Sequence, residues 1–221
     1  MKRSEINNYI EEAIAFFENH CFYLPEWSRW SPEDWSQKGN ECNEIRNNGL
    51  GWDVTDFAKG NFLKEGLTLV TIRNGNTKLD KKTYCEKIMM VRVNQVTPMH
   101  FHWRKMEDII NRGGGKLCIK VWKANEKEEM THESCKVQID GVTKVIPAGE
   151  VFCLLPGQSI CFEPYMYHEF WAEENPCLVG EVSTVNDDVN DNRFYEALGR
   201  FSIIEEDTAP EYLLCNEYIL R

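Results

Sequence analysis

A chain of 221 residues is long enough to bury the core of one large domain, and 42% of its residues are hydrophobic. Its 36 acidic and 25 basic residues give a net charge of −11, which argues against nucleic acid or an anionic membrane as the main partner. The same charge is compatible with a neutral small molecule or a bound cation.

Nine cysteines are scattered along the chain, and no two of them form a Cys-x-x-Cys pair. This pattern favours reduced thiols, packed as small apolar side chains, over a disulfide framework or a zinc site. The N-terminus lacks the apolar segment of a secretion signal, and no run approaches the ~18 apolar residues of a membrane span. We therefore expect a cytoplasmic protein with no membrane partner.

The first 60 residues predict one amphipathic helix followed by ordered loops. Apolar residues recur at helical spacing from Ser4 to about His20, and Ser4 is suited to be the N-cap. The loops after it contain four tryptophans that can act as apolar anchors: Trp27, Trp30, Trp35 and Trp52. No linker separates this part from the rest, so we interpret residues 1–221 as a single domain with an N-terminal elaboration over 1–60.

Between residues 66 and 185 the pattern changes to short β runs separated by tight turns. Asp140-Gly141 between alternating runs is a strong hairpin signal, and so many strands without helices predict a mainly β barrel or sandwich. For the C-terminal elaboration over 186–221 we expect a helical turn at Phe194–Phe201 and an added strand at Tyr212–Ile219. The predicted strands are Leu67–Arg73, Lys87–Val96, Lys116–Lys123, Cys135–Ile139, Val142–Ile146, Glu150–Leu155, Ser159–Glu163, His168–Ala172 and Leu178–Val185.

A group of metal-ligating side chains lies in this β region. His100 and His102 share a face if they lie on a strand, and Glu107 follows across a short connection that a Gly113–Gly115 turn closes. His168, in a later strand, supplies a fourth ligand. An isolated His-x-His is more often a core histidine beside a solvated one, but the additional ligands favour a metal site. Three imidazoles and a carboxylate suit Mn, Fe, Co, Ni or Zn.

The spacing of these ligands resembles the two metal motifs of the cupin superfamily. His100, His102 and Glu107 match the first motif, and the segment from Pro156-Gly157 to His168 resembles the second. One departure is the stretch Tyr165–Tyr167, where cupins usually have a glycine. The resemblance implies a jelly-roll-like β-barrel. It does not decide the function, because one fold hosts many activities.

A closer resemblance covers most of the chain and is carried by five segments: Gly51–Phe57, Gly66–Gly75, Thr97–Gly115, Gly180–Asp188 and Asp191–Phe194. This resemblance is to the D-lyxose isomerases of bacteria. It implies an aldose–ketose isomerase that depends on Mn²⁺, converts D-lyxose to D-xylulose with D-mannose to D-fructose as a side activity, and forms a homodimer. Other divalent ions compatible with the ligands are Co²⁺, Fe²⁺, Ni²⁺ and Zn²⁺.

Such a reaction moves one hydrogen between C2 and C1 while protons shift between O1 and O2. It needs a base for the carbon-bound proton and a group that manages the oxygens. Glu181 matches the family's Gly-Glu-(Val/Ile)-Ser run and is our candidate base, although the sequence leaves open which face of its strand is inward. Lys105, two residues before Glu107, is our candidate for the acid or electrostatic stabiliser of the oxygens.

Five further residues are predicted to contact the sugar. A lysine among apolar strand residues needs a partner for its charge, which favours Lys87 as a ligand of sugar hydroxyls. The aromatic rings of Trp103 and Phe162 can offer apolar faces to sugar C–H groups. Asp188 and Arg193 are charged candidates near the end of the barrel sequence.

Two other classes of function are compatible with a cupin metal site. One is an Fe(II) dioxygenase, since histidines with a carboxylate also activate O₂. The other is a non-catalytic sugar-binding cupin. An oxygenase pocket should be mostly apolar, and a non-catalytic protein has little need of acid–base groups. The lysines at 87 and 105 and the glutamate at 181 therefore favour the isomerase.

Overall fold

The computed structural model describes residues 1–219, and eleven strands of this part form the bulk of the fold. The predicted β-barrel is confirmed, with short helices confined to the first 47 residues. The strands are β1 (Gly51–Thr55), β2 (Leu67–Arg73), β3 (Tyr84–Val91), β4 (Thr97–Phe101), β5 (Glu107–Lys123), β6 (Cys135–Ile139), β7 (Val142–Ile146), β8 (Phe152–Leu154), β9 (Ser159–Phe162), β10 (Met166–Thr184) and β11 (Arg193–Phe194).

Helix α1 spans Arg3–Asn19, and the predicted N-cap at Ser4 is wrong because Lys2 occupies that position. Ser4 instead lies in the first turn, where its hydroxyl donates to the carboxylate of Asp207. The Trp-rich segment, predicted as loops, also contains α2 (Pro32–Ser36), which Ser31 caps, and α3 (Asn43–Asn47).

Two long strands, β5 and β10, belong to both halves of the barrel. One half has the strand order β1-β2-β3-β10-β5-β9-β6-β7, whereas β4 and β11 join the first part of β10, and β8 pairs with the second part of β5. Side chains of both halves share one buried core, which includes Leu69, Met89, Leu117, Ile160 and Phe170. The interior between the halves therefore has apolar walls.

The sheet formed by β1, β2, β3 and the second part of β10 is largely buried on both faces, with exposed residues only towards one end. Leu69 and Met89 point into the barrel, while their neighbours Val70 and Ile88 point outward and are covered by α1. Successive strand residues face opposite sides, so the inward set of β10 is Val179, Glu181 and Ser183. Val179 packs in the barrel core, and Val182 on the other face is 44% exposed. The orientation that the sequence left open is thus settled, with Glu181 pointing inward.

The predicted turn at Gly113–Gly115 is wrong, because the chain continues as a single strand through these residues. The pairing with β10 shifts register here, which marks a bulge that bends both strands. Gly114 has φ +93°, and a Cβ there would lie 2.0 Å from the carbonyl oxygen of Pro176. The glycines therefore allow two bent strands to approach each other closely, and β5 does not end at them.

Two predictions for the C-terminal part are also wrong. The expected helical turn at Phe194–Phe201 begins as the short strand β11 and continues without helix, and Tyr212–Ile219 forms no strand apart from an isolated bridge between Leu214 and Trp52. The C-terminal part is held by pairing with distant elements, so the pattern of apolar residues in its own sequence does not decide its structure. Within residues 1–219, no helix is both long and apolar enough to span a membrane.

The prediction that all cysteines are reduced is wrong for one pair, because Cys118 and Cys153 form a disulfide. Cys118 on β5 is directly opposite Cys153 on β8, with 4.0 Å between their Cα atoms. Strand pairing brings them together across 35 residues of sequence, so spacing could not reveal the bond. The other seven cysteines are free thiols, and most of them are buried.

Candidate active site

Four predicted metal ligands meet at one point inside the barrel. His100 lies on β4 opposite His168 on β10, His102 follows the last residue of β4, and Glu107 is the first residue of β5. One ligand atom from each lies within 4.8 Å of the others, and all four side chains are buried. This cluster can therefore bind a divalent metal ion.

The orientation of the three imidazoles fits such an ion. Each Nδ1 donates to a backbone carbonyl, from His100 to Pro98 at 2.7 Å, from His102 to Asp191 at 2.6 Å and from His168 to Met166 at 3.0 Å. A carbonyl only accepts, so Nδ1 carries the hydrogen and Nε2 keeps its lone pair. The Nε2 atoms of His102 and His168 are buried and have no hydrogen-bond partner among the described residues, as expected of nitrogens reserved for a metal.

Burial and neighbouring charges favour the protonation states that metal binding needs at His100 and Glu107. Burial, with the nearby His168 and His102, holds the pKa of His100 well below its usual value. Burial alone would raise the pKa of Glu107, but Lys105 and His102 outweigh it and hold that pKa well below the usual range. Neutral imidazoles and an ionised carboxylate are the forms that coordinate a cation.

Lys105 and Glu181, the predicted catalytic pair, touch each other directly beside the metal ligands. Lys105 Nζ lies 2.5 Å from Glu107 Oε2 and 2.9 Å from Glu181 Oε1. Burial opposes the charge of Lys105, but the carboxylates of Glu107 and Glu181 outweigh it and raise the pKa of the ammonium. Lys105 is therefore a permanent cation at neutral pH, suited to stabilise an oxyanion and poorly suited to release a proton.

The ionic network continues away from the metal ligands. Lys87 Nζ lies 3.4 Å from Glu181 Oε1 and 3.5 Å from Asp188 Oδ1. Arg200 then pairs with Asp188 at 3.2 Å and with Asp53 at 2.6 Å. Burial acts against the charge of Asp188, but Arg200 and Lys87 outweigh it and hold its pKa well below the usual range. The sequence suggested Lys87 and Asp188 but gave no reason to include Arg200.

The cavity at this network has a polar and an apolar side. Lys87, Lys105, Glu181, Asp188 and Arg200 line the polar side together with the ligands His100, His102 and Glu107. The apolar wall is made of Phe57, Leu67, Leu69, Met89, Ile109, Phe170 and Phe194. A small molecule with many hydroxyls on one face and C–H groups on the other matches this division.

Three of the predicted sugar contacts do not line this cavity. The ring of Phe162 stacks on His168 with the centroids 4.2 Å apart, so it supports a metal ligand. Trp103 Nε1 and Arg193 Nε both donate to the carboxylate of Glu128, at 2.7 and 2.8 Å. They hold the loop that carries Glu128 against the barrel.

Three polar residues of the cavity were not predicted from the sequence: Thr97, Asn192 and Arg200. Thr97 Oγ1 is buried and has no hydrogen-bond partner among the described residues. Strand alternation alone would place Thr97 on the face opposite His100. The register shift between β4 and β10 brings both residues to the cavity, so no pattern in the sequence indicated Thr97. Arg200 and Asn192 lie beyond the barrel strands in irregular chain, where no local pattern marks them.

Solved structures of sugar isomerases share this fold. The L-ribose isomerase of Geodermatophilus obscurus matches with a TM-score of 0.62 at 17% identity, covering 93% of this chain and 98% of that one. The L-ribose isomerase of Acinetobacter sp. DL28, solved with L-ribose, matches with a TM-score of 0.59 at 16% identity and the same coverage. At such low identity the likeness concerns the fold alone.

Sequence comparison is more specific. The D-lyxose/D-mannose isomerase of Escherichia coli O157:H7 is 48% identical over 223 residues, which cover 99% of this chain and 98% of that protein. The protein of the same name from Serratia proteamaculans is also 48% identical, with the same coverage. The family profile described as D-lyxose isomerase matches residues 1–218. The chain therefore belongs to the D-lyxose isomerase family and is a sugar isomerase of the D-lyxose/D-mannose isomerase type.

Proposed function

We propose that this protein is a metal-dependent aldose–ketose isomerase that interconverts D-lyxose and D-xylulose, and also D-mannose and D-fructose. The observation that carries the proposal is the contact between the metal-ligand cluster and the buried pair Lys105–Glu181 inside one cavity. Family membership favours this activity over an Fe(II) dioxygenase or a non-catalytic sugar-binding cupin.

His100, His102, Glu107 and His168 would hold the ion, and Mn²⁺ is our proposed choice, although Co²⁺, Fe²⁺, Ni²⁺ and Zn²⁺ suit the same donors. When bound, a divalent ion supplies Lewis-acid polarisation of the sugar's oxygens. The ring stacking of Phe162 on His168 and the carbonyl bonds to each Nδ1 fix the ligands without help from the ion.

Glu181 is the proposed base. Its carboxylate is 5% exposed, faces the cavity and is held by the ammonium groups of Lys105 and Lys87. It takes the proton from C2 of the aldose and returns it to C1, while the proton of the O2 hydroxyl moves to O1. Lys105 stabilises the negative charge that develops on the sugar oxygens between these two transfers.

The two proposed aldoses have a simple chemical relation. D-Mannose has the same configuration as D-lyxose at C2, C3 and C4 and one more carbon. The hydroxyls of these centres can hydrogen-bond with Lys87 and Asp188, while the C–H faces lie against the apolar wall. Of the earlier candidates, we retain Lys87 and Asp188 as sugar contacts, whereas Trp103, Phe162 and Arg193 support the site from outside the cavity.

The test is an anaerobic assay with purified protein, stripped of metal and reloaded with Mn²⁺. We expect D-xylulose from D-lyxose and D-fructose from D-mannose, and no ketose before reloading. Ketose formation in the absence of oxygen separates the isomerase from a dioxygenase. No ketose from any C5 or C6 aldose, with stoichiometric metal bound, would falsify the proposal.

The role of Glu181 has its own test. Glu181→Gln should bind Mn²⁺ like the unmodified protein but lose most of its turnover and the exchange of solvent protons into the product. Glu169→Gln is a matched control, because Glu169 lies on the same strand but pairs with Lys120 outside the cavity. Exchange at the unmodified rate in Glu181→Gln would show that another group is the base.

The homodimer and the cytoplasmic location stay predictions of the sequence and its resemblance. Light scattering after gel filtration checks the first, since a dimer has twice the 25.9 kDa mass of the chain.

A further inference from the structure

We propose that Asp191 is a positioning residue that sets both the metal ligand His102 and the cation Lys105. This inference rests on the proposed metal site but not on the identity of the sugar. Asp191 is 3% exposed, so its carboxylate is as deeply buried as the residues of the cavity. It does not line the cavity and therefore acts through other residues.

The carboxylate of Asp191 anchors the connection between His102 and Glu107. Its Oδ1 accepts the backbone N–H of Arg104 at 3.0 Å, and its Oδ2 accepts that of Lys105 at 2.9 Å. A buried carboxylate is costly unless its oxygens are hydrogen-bonded, and here both are. Lys105 lies in this connection, between two metal ligands, so the two hydrogen bonds fix the backbone position from which its side chain extends.

The backbone of the same residue orients a metal ligand. The carbonyl oxygen of Asp191 accepts from His102 Nδ1 at 2.6 Å, which turns Nε2 towards Glu107 and the other ligands. Groups that orient metal-binding histidines in this way tune the affinity of the site. Asp191 thus contacts His102 through its carbonyl and the backbone of Lys105 through its carboxylate, so one residue links the two groups.

The neighbouring residues strengthen this link. Asn192 lines the cavity and donates to the carbonyl of Asp188 at 2.7 Å, while Phe194 pairs with His100 on β4. Arg193 between them bonds to Glu128. Asp191 is therefore the first residue of a short segment that runs alongside the metal ligands, and its carboxylate is the only acidic side chain in that segment.

The test measures Mn²⁺ affinity in the absence of sugar, by titrating metal-free protein and detecting free Mn²⁺ by electron paramagnetic resonance. In Asp191→Asn one oxygen becomes an NH₂ group that faces a backbone N–H, so one of the two bonds is lost. We expect the Mn²⁺ dissociation constant to rise about 10- to 100-fold. At saturating Mn²⁺, kcat should also fall about tenfold or more, because Lys105 is displaced.

Asp80→Asn is the matched control. The carboxylate of Asp80 also accepts two backbone N–H groups, those of Asn76 and Lys82, but lies away from the cavity. We expect any loss of thermal stability to be similar in both variants, with altered Mn²⁺ affinity only in Asp191→Asn. Asp191→Glu keeps both oxygens on a longer arm and should show an intermediate dissociation constant, and it replaces Asp191→Asn if that variant does not fold.

Unmodified Mn²⁺ affinity in Asp191→Asn, or in Asp191→Glu where only that variant folds, overturns the inference. A protein that binds Mn²⁺ but isomerises no sugar overturns the proposed function, yet weaker binding by the Asp191 variants still supports the positioning role. An unmodified protein that binds no Mn²⁺ overturns both proposals.

Discussion

The disulfide between Cys118 and Cys153 should contribute measurably to stability. It joins the three-residue strand β8 to the centre of β5, and β8 has no other strand partner among the described residues. Without the bond, β8 is held by few ladder hydrogen bonds at the edge of its half of the barrel. Reduction, or replacement by Cys153→Ser, is the perturbation.

The magnitude follows from the length of the closed loop. With a sequence separation of 35 between the two cysteines, the loss of chain entropy in the unfolded state is about 13 cal/mol/K. This corresponds to about 4 kcal/mol in the free energy of unfolding at 25 °C. For a domain of this size, each kcal/mol shifts Tm by about 2–4 °C, so Tm should fall by about 8–16 °C.

The assay compares thermal unfolding of oxidised protein, protein reduced under denaturing conditions and refolded, and Cys153→Ser. Cys161→Ser is the control, because Cys161 is a free thiol on the neighbouring strand β9. Counting thiols in denatured, unreduced protein should give seven, the number of free cysteines in the structure.

Two results would contradict the reasoning. Nine reactive thiols in protein that was purified without reductant would show that the bond does not form. A bond that forms but changes Tm by no more than the Cys161→Ser control would show that β8 is held by its packing alone.

Three further predictions concern the cavity and its support. Arg200 and Lys87 hold the folded-state pKa of Asp188 below its usual value of about 3.8, so its contribution to stability is present above that value and is lost as the pH falls from it towards the folded-state pKa. Asp188→Asn should therefore flatten the acid limb of stability in urea unfolding below about pH 4, and an unchanged slope there would contradict this. Thr97→Val removes a buried hydroxyl that has no hydrogen-bond partner within residues 1–219, so we expect the free energy of unfolding to rise by about 1 kcal/mol, and a decrease would show that the hydroxyl has a partner. We also expect kcat/KM to fall about tenfold, because Thr97 lines the cavity. Glu128→Gln should lower the protection of the Trp103 indole N–H from hydrogen exchange, and unchanged exchange would show that the loop is held by other contacts.

The sequence was most informative where the chemistry is local. His100, His102 and Glu107 lie within eight residues, and the strand period that places two imidazoles on one face holds in the structure. Five predicted strands lie within one or two residues of their observed bounds, because alternation and Asp-Gly turns are properties of short segments. The sequence also offered His168, in a later strand, as a fourth ligand, and this residue lies opposite His100 in the structure.

The predictions that were wrong or missing concern features that depend on contacts between distant segments. The Gly113–Gly115 run reads as a turn from composition alone, yet the chain bends there to follow β10, which only the partner strand reveals. Arg200 and Asp191 lie in irregular chain, and each is defined by partners some 90 to 150 residues away, such as Lys105 and Asp53. The prediction that all cysteines are reduced was wrong for the same reason, because Cys118 and Cys153 meet only through strand pairing.

The arrangement of buried charge explains why the site suits an uncharged sugar. From the metal ligands to the far end of the cavity, acidic and basic groups alternate, and each lies within 3.5 Å of an opposite charge: Glu107, Lys105, Glu181, Lys87, Asp188, Arg200 and Asp53. Buried charges contribute little net stability even when paired, so such a chain points to function. Its four carboxylates exceed its three cations by one, which suits an added divalent cation. Every cation is already paired, so the cavity offers no unopposed positive charge to a sugar phosphate.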